Sequence, residues 1–270
     1  MTDRAASFHL AGVLIWRSYR EQRAKLFLLP LAFAGLIALF TLVAFYVPGI
    51  LTGTTRLALR RAAELYFPTI ADSRAALALA MLFIQGPFFA ALFASLTGAM
   101  TAQAAVGSEA ARGGFELLLS APYRPREIFV AMLAASLAIT LTSWAVLMLA
   151  MMGIVALALS LVGSRPVLST GFLVLAFLLP LPMALWANLI GLAFALMFPR
   201  LAQARIGTST SLVQLVAILP GLILLLLATV RPDINLAAAA GIAIALALAG
   251  VAAGLTVLRR WFRPGALLES

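Results

Sequence analysis

Residues 128–161 read IFVAMLAASLAITLTSWAVLMLAMMGIVALALSL, without one Asp, Glu, Lys or Arg. A helix needs about 20 apolar residues to cross the roughly 30 Å hydrocarbon core of a bilayer. A run this long and this free of charge therefore predicts a transmembrane helix. Working outward in both directions, five more windows meet the same test: 26–47, 75–102, 171–198, 212–230 and 236–258. None of them contains a charged residue either. The expected fold is all-α, an integral membrane protein with six transmembrane helices.

Composition agrees. Of 270 residues 64% are apolar and 10% charged, against about 25% charged in an ordinary soluble domain. The chain has no cysteine, which removes disulfides, thiolate chemistry and thiolate metal sites. The formal charge of +10 sits at the ends of the apolar runs. That is the pattern of membrane orientation signals, so nucleic acid is not an expected partner and membrane lipid is. With the N-terminus in the cytoplasm, thirteen of the nineteen basic residues fall inside, among them Arg17, Arg20, Arg23, Lys25, Arg112, Arg124 and Arg126. The six outside are Arg56, Arg60, Arg61, Arg74, Arg165 and Arg231. The bias predicts both termini in the cytoplasm. The segment 8–16 is too short and too closely followed by arginine to read as a cleaved signal peptide.

Two segments read as helices lying on the membrane surface. Residues 8–25 begin apolar and end basic, with Trp16 and Tyr19 suited to headgroup depth. Residues 54–67 place Arg56, Arg60 and Glu64 on one face, and Pro68 closes them. The last window carries Gly241, Ala245, Ala249 and Ala253 at four-residue spacing, with Gly250 and Gly254 as a GxxxG pair. Such a stripe lets helices approach closely.

Catalytic chemistry is hard to find. The one histidine, His9, lies outside every window, and no zinc cluster, serine–histidine pair or phosphate-binding loop is present. Carboxylates that would couple transport to an ion gradient are missing from the windows. What the windows do hold is uncharged: Gln85, Ser143, Asn188 and Gln214, with Pro87, Pro180, Pro182 and Pro220. Buried amides must be hydrogen-bonded, so these side chains are expected to face other helices or to line a translocation path. The sequence leaves both open.

The longest loop on the cytoplasmic side, 107–129, reads GSEAARGGFELLLSAPYRPREIF. A short amphipathic helix is expected at about 107–121. Ser108 is placed to cap it and Glu109 lies near its positive end. Glu109, Arg112 and Glu116 share one face, Phe115, Leu118 and Leu119 another, and Pro122 ends it.

This loop resembles one found after the second span of type 2 ABC-transporter permeases, E-x-x-x-G-[ST]-x-E-x-L-L-x-x-P. Glu109, Gly113, Glu116, Leu118, Leu119 and Pro122 take the fixed positions, while Gly114 stands where the family has Ser or Thr and Phe115 where leucine is common. The resemblance implies that 107–121 is a coupling helix docking on a separate ATP-binding subunit through Glu109, Arg112, Gly113, Phe115, Glu116, Leu118, Leu119 and Pro122. It also implies that 199–209 is a second cytoplasmic contact, that 8–25 is an elbow helix, and that two permease chains, identical or homologous, assemble with two ATPase subunits. ATP and Mg would then sit on the partner, with no cofactor on this non-catalytic chain. The implied activity is export across a bacterial inner membrane. The implied organisation is an N-terminal cytoplasmic and interfacial segment, 1–25, a transmembrane domain, 26–258, and a cytoplasmic tail, 259–270. A membrane anchor or assembly subunit, and a facilitator or channel, are the other readings compatible with the residues.

Overall fold

The computed structural model describes residues 3–47, 53–66, 70, 72–121, 123–163, 176–197 and 210–230, with 238, 241–242, 244–245, 248–252 and 256 beyond them. Every element among the described residues is helical: α1 (Asp3–Tyr46), α2 (Gly53–Tyr66), α3 (Ser73–Ala111), α4 (Gly114–Ser120), α5 (Pro125–Val162), α6 (Pro180–Met197) and α7 (Thr210–Val230). Four stretches are long and apolar enough to cross a membrane: Leu26–Tyr46 of α1, Arg74–Ala111 of α3, Glu127–Val162 of α5, and Ala176–Met197, which contains α6. The fifth expected window falls on α7. Most of the sixth lies outside the described residues, and those of its residues that are described are helical. The expected contact at 199–209, the tail 259–270 and Gly254 also lie outside the described residues.

No break separates the expected elbow helix from the expected first span. α1 is one helix of 44 residues, about 66 Å long at 1.5 Å per residue and so about twice the thickness of the hydrocarbon core. The physical reason is local. Residues 20–27, REQRAKLF, hold neither Gly nor Pro and are mostly good helix formers. Pro30 lies inside the helix, where it removes one backbone hydrogen bond without ending it.

Packing sets the directions. Leu10 and Leu14 cluster with Ile128, Met132 and Ala135, whereas Ala34 and Ile37 cluster with Leu147 and Met151, so α1 and α5 run parallel. α3 and α6 run against them: Val106 and Leu196 join the Leu10 cluster, and Leu82 and Phe93 join the Ile37 cluster. The two ends are called here the Arg17 end and the Tyr46 end. α3 is the central helix, contacting α1, α2, α4, α5, α6 and α7. Three-quarters of its most apolar stretch is buried, against 11% for α5. At the Tyr46 end, α2 lays Leu59 and Ala63 on Ala76, Leu77 and Ala80 of α3 and leaves Arg56, Arg60 and Glu64 exposed.

The first turns of α5, which the sequence assigns to the lipid core, lie beside the charged half of α1. The hydroxyl of Tyr19 meets that of Thr142 and donates to Ala138 O at 3.5 Å. Ile128, Ala131, Met132 and Ala135 are buried there against protein.

Candidate functional site: the α3–α4 junction and the polar layer beside it

The boundary expected at Ser108 lies elsewhere. Residues 103–111 continue α3, and the Ser108 hydroxyl donates to Ala105 O at 3.1 Å, so Ser108 is inside the helix and caps nothing. α3 stops at Ala111 because Gly113 adopts φ 65°, a left-handed conformation that costs other residues about 1–2 kcal/mol. α4 then occupies only Gly114–Ser120. The expected helix at 107–121 is thus two elements joined by a turn, and the expected common face of Glu109, Arg112 and Glu116 does not exist.

Glu109 instead ends α3 with its side chain buried, and its carboxylate meets Arg17 Nη1 at 3.0 Å. Arg17 also donates through Nε to Glu21 at 3.1 Å, and Arg112 donates to the same Glu21 oxygen at 2.6 Å. Four charges therefore tie the Arg17 end of α1 to the end of α3. The Arg112 hydrogen bond holds the Glu21 carboxyl below the usual glutamate value; burial opposes this and Arg17 adds to it. The same pair raises the Arg112 guanidinium. Sequence reasoning missed Arg17 and Glu21. The available signal was Glu21 itself, the lone acid among Arg17, Arg20, Arg23 and Lys25.

Gly114, a departure from the family pattern, has a structural cause. A Cβ there would run into the Glu109 carboxylate and come within 3.2 Å of Glu109 O. Phe115 is 2% exposed and packs with Leu10, Leu14, Val106 and Ile128, and Leu118 lies against the same cluster. Glu116 and Leu117 face outward, Leu117 74% exposed. The side chain of Leu119, and Pro122 altogether, lie outside the described residues. α5 begins at Pro125, where the Arg124 backbone N–H donates to Glu127 Oε2 at 3.0 Å. α4 is therefore clamped between two long helices, anchored by Phe115 and presenting Glu116, Leu117 and Ser120.

Of the four polar residues expected in the spans, Asn188 is the one at the centre of a network. It is fully buried. Its amide donates to Thr140 Oγ1 at 3.1 Å and to Ala184 O at 2.8 Å. Thr140 and Thr101 share a hydroxyl–hydroxyl bond of 2.9 Å, and Thr140 also donates to Ser136 O at 2.8 Å. α3, α5 and α6 are joined by these bonds. Ser143 is buried but is not part of the network, and Gln214 is half-buried on α7. The Gln85 side chain lies outside the described residues. Among the described side chains of the expected path, Asn188 is in the network, and Ser143 and Gln214 are not. Around Asn188 the helices nearly touch. A Cβ at Gly98 would lie 2.7 Å from Asn188 Nδ2, and one at Gly191 would lie 3.0 Å from Ala99 O.

The expected small-residue stripe of the last window has one described close contact. A side chain at Gly250 would collide with the Trp186 ring of α6, while Gly241 has open space around it.

No protein-family model, curated protein or solved structure matches this chain.

Proposed function

We propose that this chain is the membrane-spanning permease subunit of an ABC-type exporter, driven by separate ATP-binding subunits that dock on α4. The observation that carries the reading is the α3–Gly113–α4–α5 arrangement. A seven-residue helix is fixed between two helices of 39 and 38 residues and turns an acidic and an apolar side chain outward. A push on such a helix reaches both long helices directly, because Phe115 is seated in their shared cluster and Glu109 is ion-paired to α1. The sequence pattern from Glu109 to Pro122 supports the same reading. On it, the Arg17 end faces the cytoplasm, the bundle holds six spans, and two permease chains assemble with two ATPases carrying ATP and Mg.

The test is co-purification and activity. The chain is expected to hydrolyse no ATP alone and to stimulate or retain a co-expressed ATP-binding subunit in proteoliposomes. Hydrolysis by the chain alone, with a catalytically dead ATPase as contamination control, would refute the assignment.

A further inference from the structure

At the Tyr46 end of the bundle, α1, α3, α5 and the start of the α6 segment part around a cavity of about 290 Å³. Leu82, Phe83, Pro87, Met148, Met151 and Phe177 are among the residues that line it, and none of its described lining residues is charged. It lies within the stretches of α1, α3 and α5 that are apolar enough to cross a membrane. Beside it the outward surface is apolar: Leu149 is 69% exposed, Met152 57% and Leu157 63%. A cavity whose described lining is apolar stays dry and takes apolar guests, as smaller engineered ones do. At about 30 Å³ per water-sized group, the space holds roughly ten such groups in a row or cluster. Methionine at three lining positions, Met148, Met151 and Met152, gives a wall that adapts to a flexible guest.

We infer that this cavity binds an alkyl chain. The occupant is the hydrocarbon tail of an amphiphile, drawn either from a bilayer phospholipid or from a free single-chain molecule such as a fatty acid. An ion or a sugar has no partner there among the described residues. The inference does not depend on the transporter reading, because a resident chain would serve an anchor or a channel equally.

Photolabelling of the full chain in vesicles tests it. Two probes are used separately, a fatty acid and a phosphatidylcholine, each with a diazirine in mid-chain, and labelled peptides are mapped. Met151 is 8% exposed and Phe83 5%, so their labelling reports the cavity, whereas Leu149 and Leu157 report the lipid face. Saturable labelling of Met151 or Phe83 is expected, competed by the unlabelled form of the probe. The fatty-acid probe labelling against excess phospholipid assigns a free amphiphile, and the phospholipid probe alone assigns a resident lipid.

Gly86 lines the cavity, and a Cβ there meets nothing within 4 Å. Gly86→Phe should therefore fill the space and lower Met151 labelling about tenfold, since excluding even two methylenes from burial changes affinity by that order. Ala156→Phe, at an exposed lining position, provides a second block if the first variant does not assemble. Gly35→Phe, away from the cavity with open space around it, should change nothing. Labelling confined to Leu149 and Leu157 with either probe, or Met151 labelling untouched by both blocking variants, overturns the inference.

Discussion

Where Asn188 crosses α3, backbones come so close that Gly98 and Gly191 have no room for a methyl group. Further along the same α3, toward Tyr46, the helices separate around about 290 Å³ of apolar space. The first region is held by small residues and a hydrogen-bonded chain through Thr101, Thr140 and Asn188. The second is held by large, flexible side chains with few polar bonds. Without a hydrophobic drive between helices in lipid, close backbone approach and interhelical hydrogen bonds are what join spans. The Arg17 half is thus the closely packed part of the described bundle. The Tyr46 end is the adaptable part, able to accommodate a guest.

The contrast breaks first at Gly191. A leucine there must displace Ala99 O and Cα, backbone atoms 3.0 and 3.1 Å from the new Cβ, and overpacking of this kind costs about 1–3 kcal/mol or more. Gly191→Leu should give the largest loss of thermal stability of any change discussed here, measured by unfolding of the detergent-purified chain. Gly86→Ala, in the open region of α3, should move the other way by up to about 1 kcal/mol, the usual gain of Ala over Gly in a helix. Equal effects at the two glycines would show that the two regions do not differ in packing.

Asn188→Leu comes next. It removes the bonds to Thr140 and Ala184, and interhelical hydrogen bonds in membranes are worth about 1 kcal/mol. Thr140→Val should cost a similar amount, and the double variant less than the sum because the two residues share one bond. If transport per assembled complex is unchanged in Asn188→Leu, the residue holds helices together and does not contact cargo.

The ionic tie between α1 and α3 should show a pH dependence with a defined sign. The Glu21 carboxyl is held below its ordinary value, so its stabilising contribution is present above the unfolded value, about pH 4.5, and is lost as pH falls through the folded one. Glu21→Gln should therefore flatten the acid limb of the stability profile. The amplitude should be small, since partly exposed pairs contribute about 0.2–1 kcal/mol. A profile unchanged by the substitution would mean that Glu21 carries no net linkage.

Much of the fold is legible in the sequence, and the unread parts have physical causes. Charge-free length identifies the spans in α1, α3, α5 and 176–197, because the bilayer imposes that length. In α5 the same length includes Ile128 and Met132, which are also buried against protein. Charge-free length divides at 25/26 what is one continuous helix, α1, because a change from basic to apolar marks a change of solvent and need not break a helix. The partners of Glu109 and Asn188 lie far away in the chain, at Arg17 and Thr140, and only packing brings them together. Ser108 carried a correct capping rule at the wrong place. Gly113, with its positive φ, is where the backbone turns.

The smallest expected change in stability is the most informative for function. Glu116 is exposed on α4, so Glu116→Ala should alter stability by no more than about 0.5 kcal/mol. If α4 meets an ATP-binding subunit, the lost carboxylate leaves the partner's matching group unpaired, and removing one side of such a contact costs about 2–5 kcal/mol. Transport per ATP hydrolysed in reconstituted vesicles should then fall steeply while the permease itself stays folded. Gly113→Leu should give the same uncoupling by another route. Leucine resists φ 65°, so the turn should open and α4 should shift relative to the Arg17–Glu109 tie. The two variants differ in one respect that makes the pair decisive: Gly113→Leu lowers stability, Glu116→Ala does not. An uncoupled Glu116→Ala chain of normal stability places the partner on α4. Wild-type coupling in both variants would leave α4 as a surface turn between two spans, and the close packing of the Arg17 half as a property of the bundle alone.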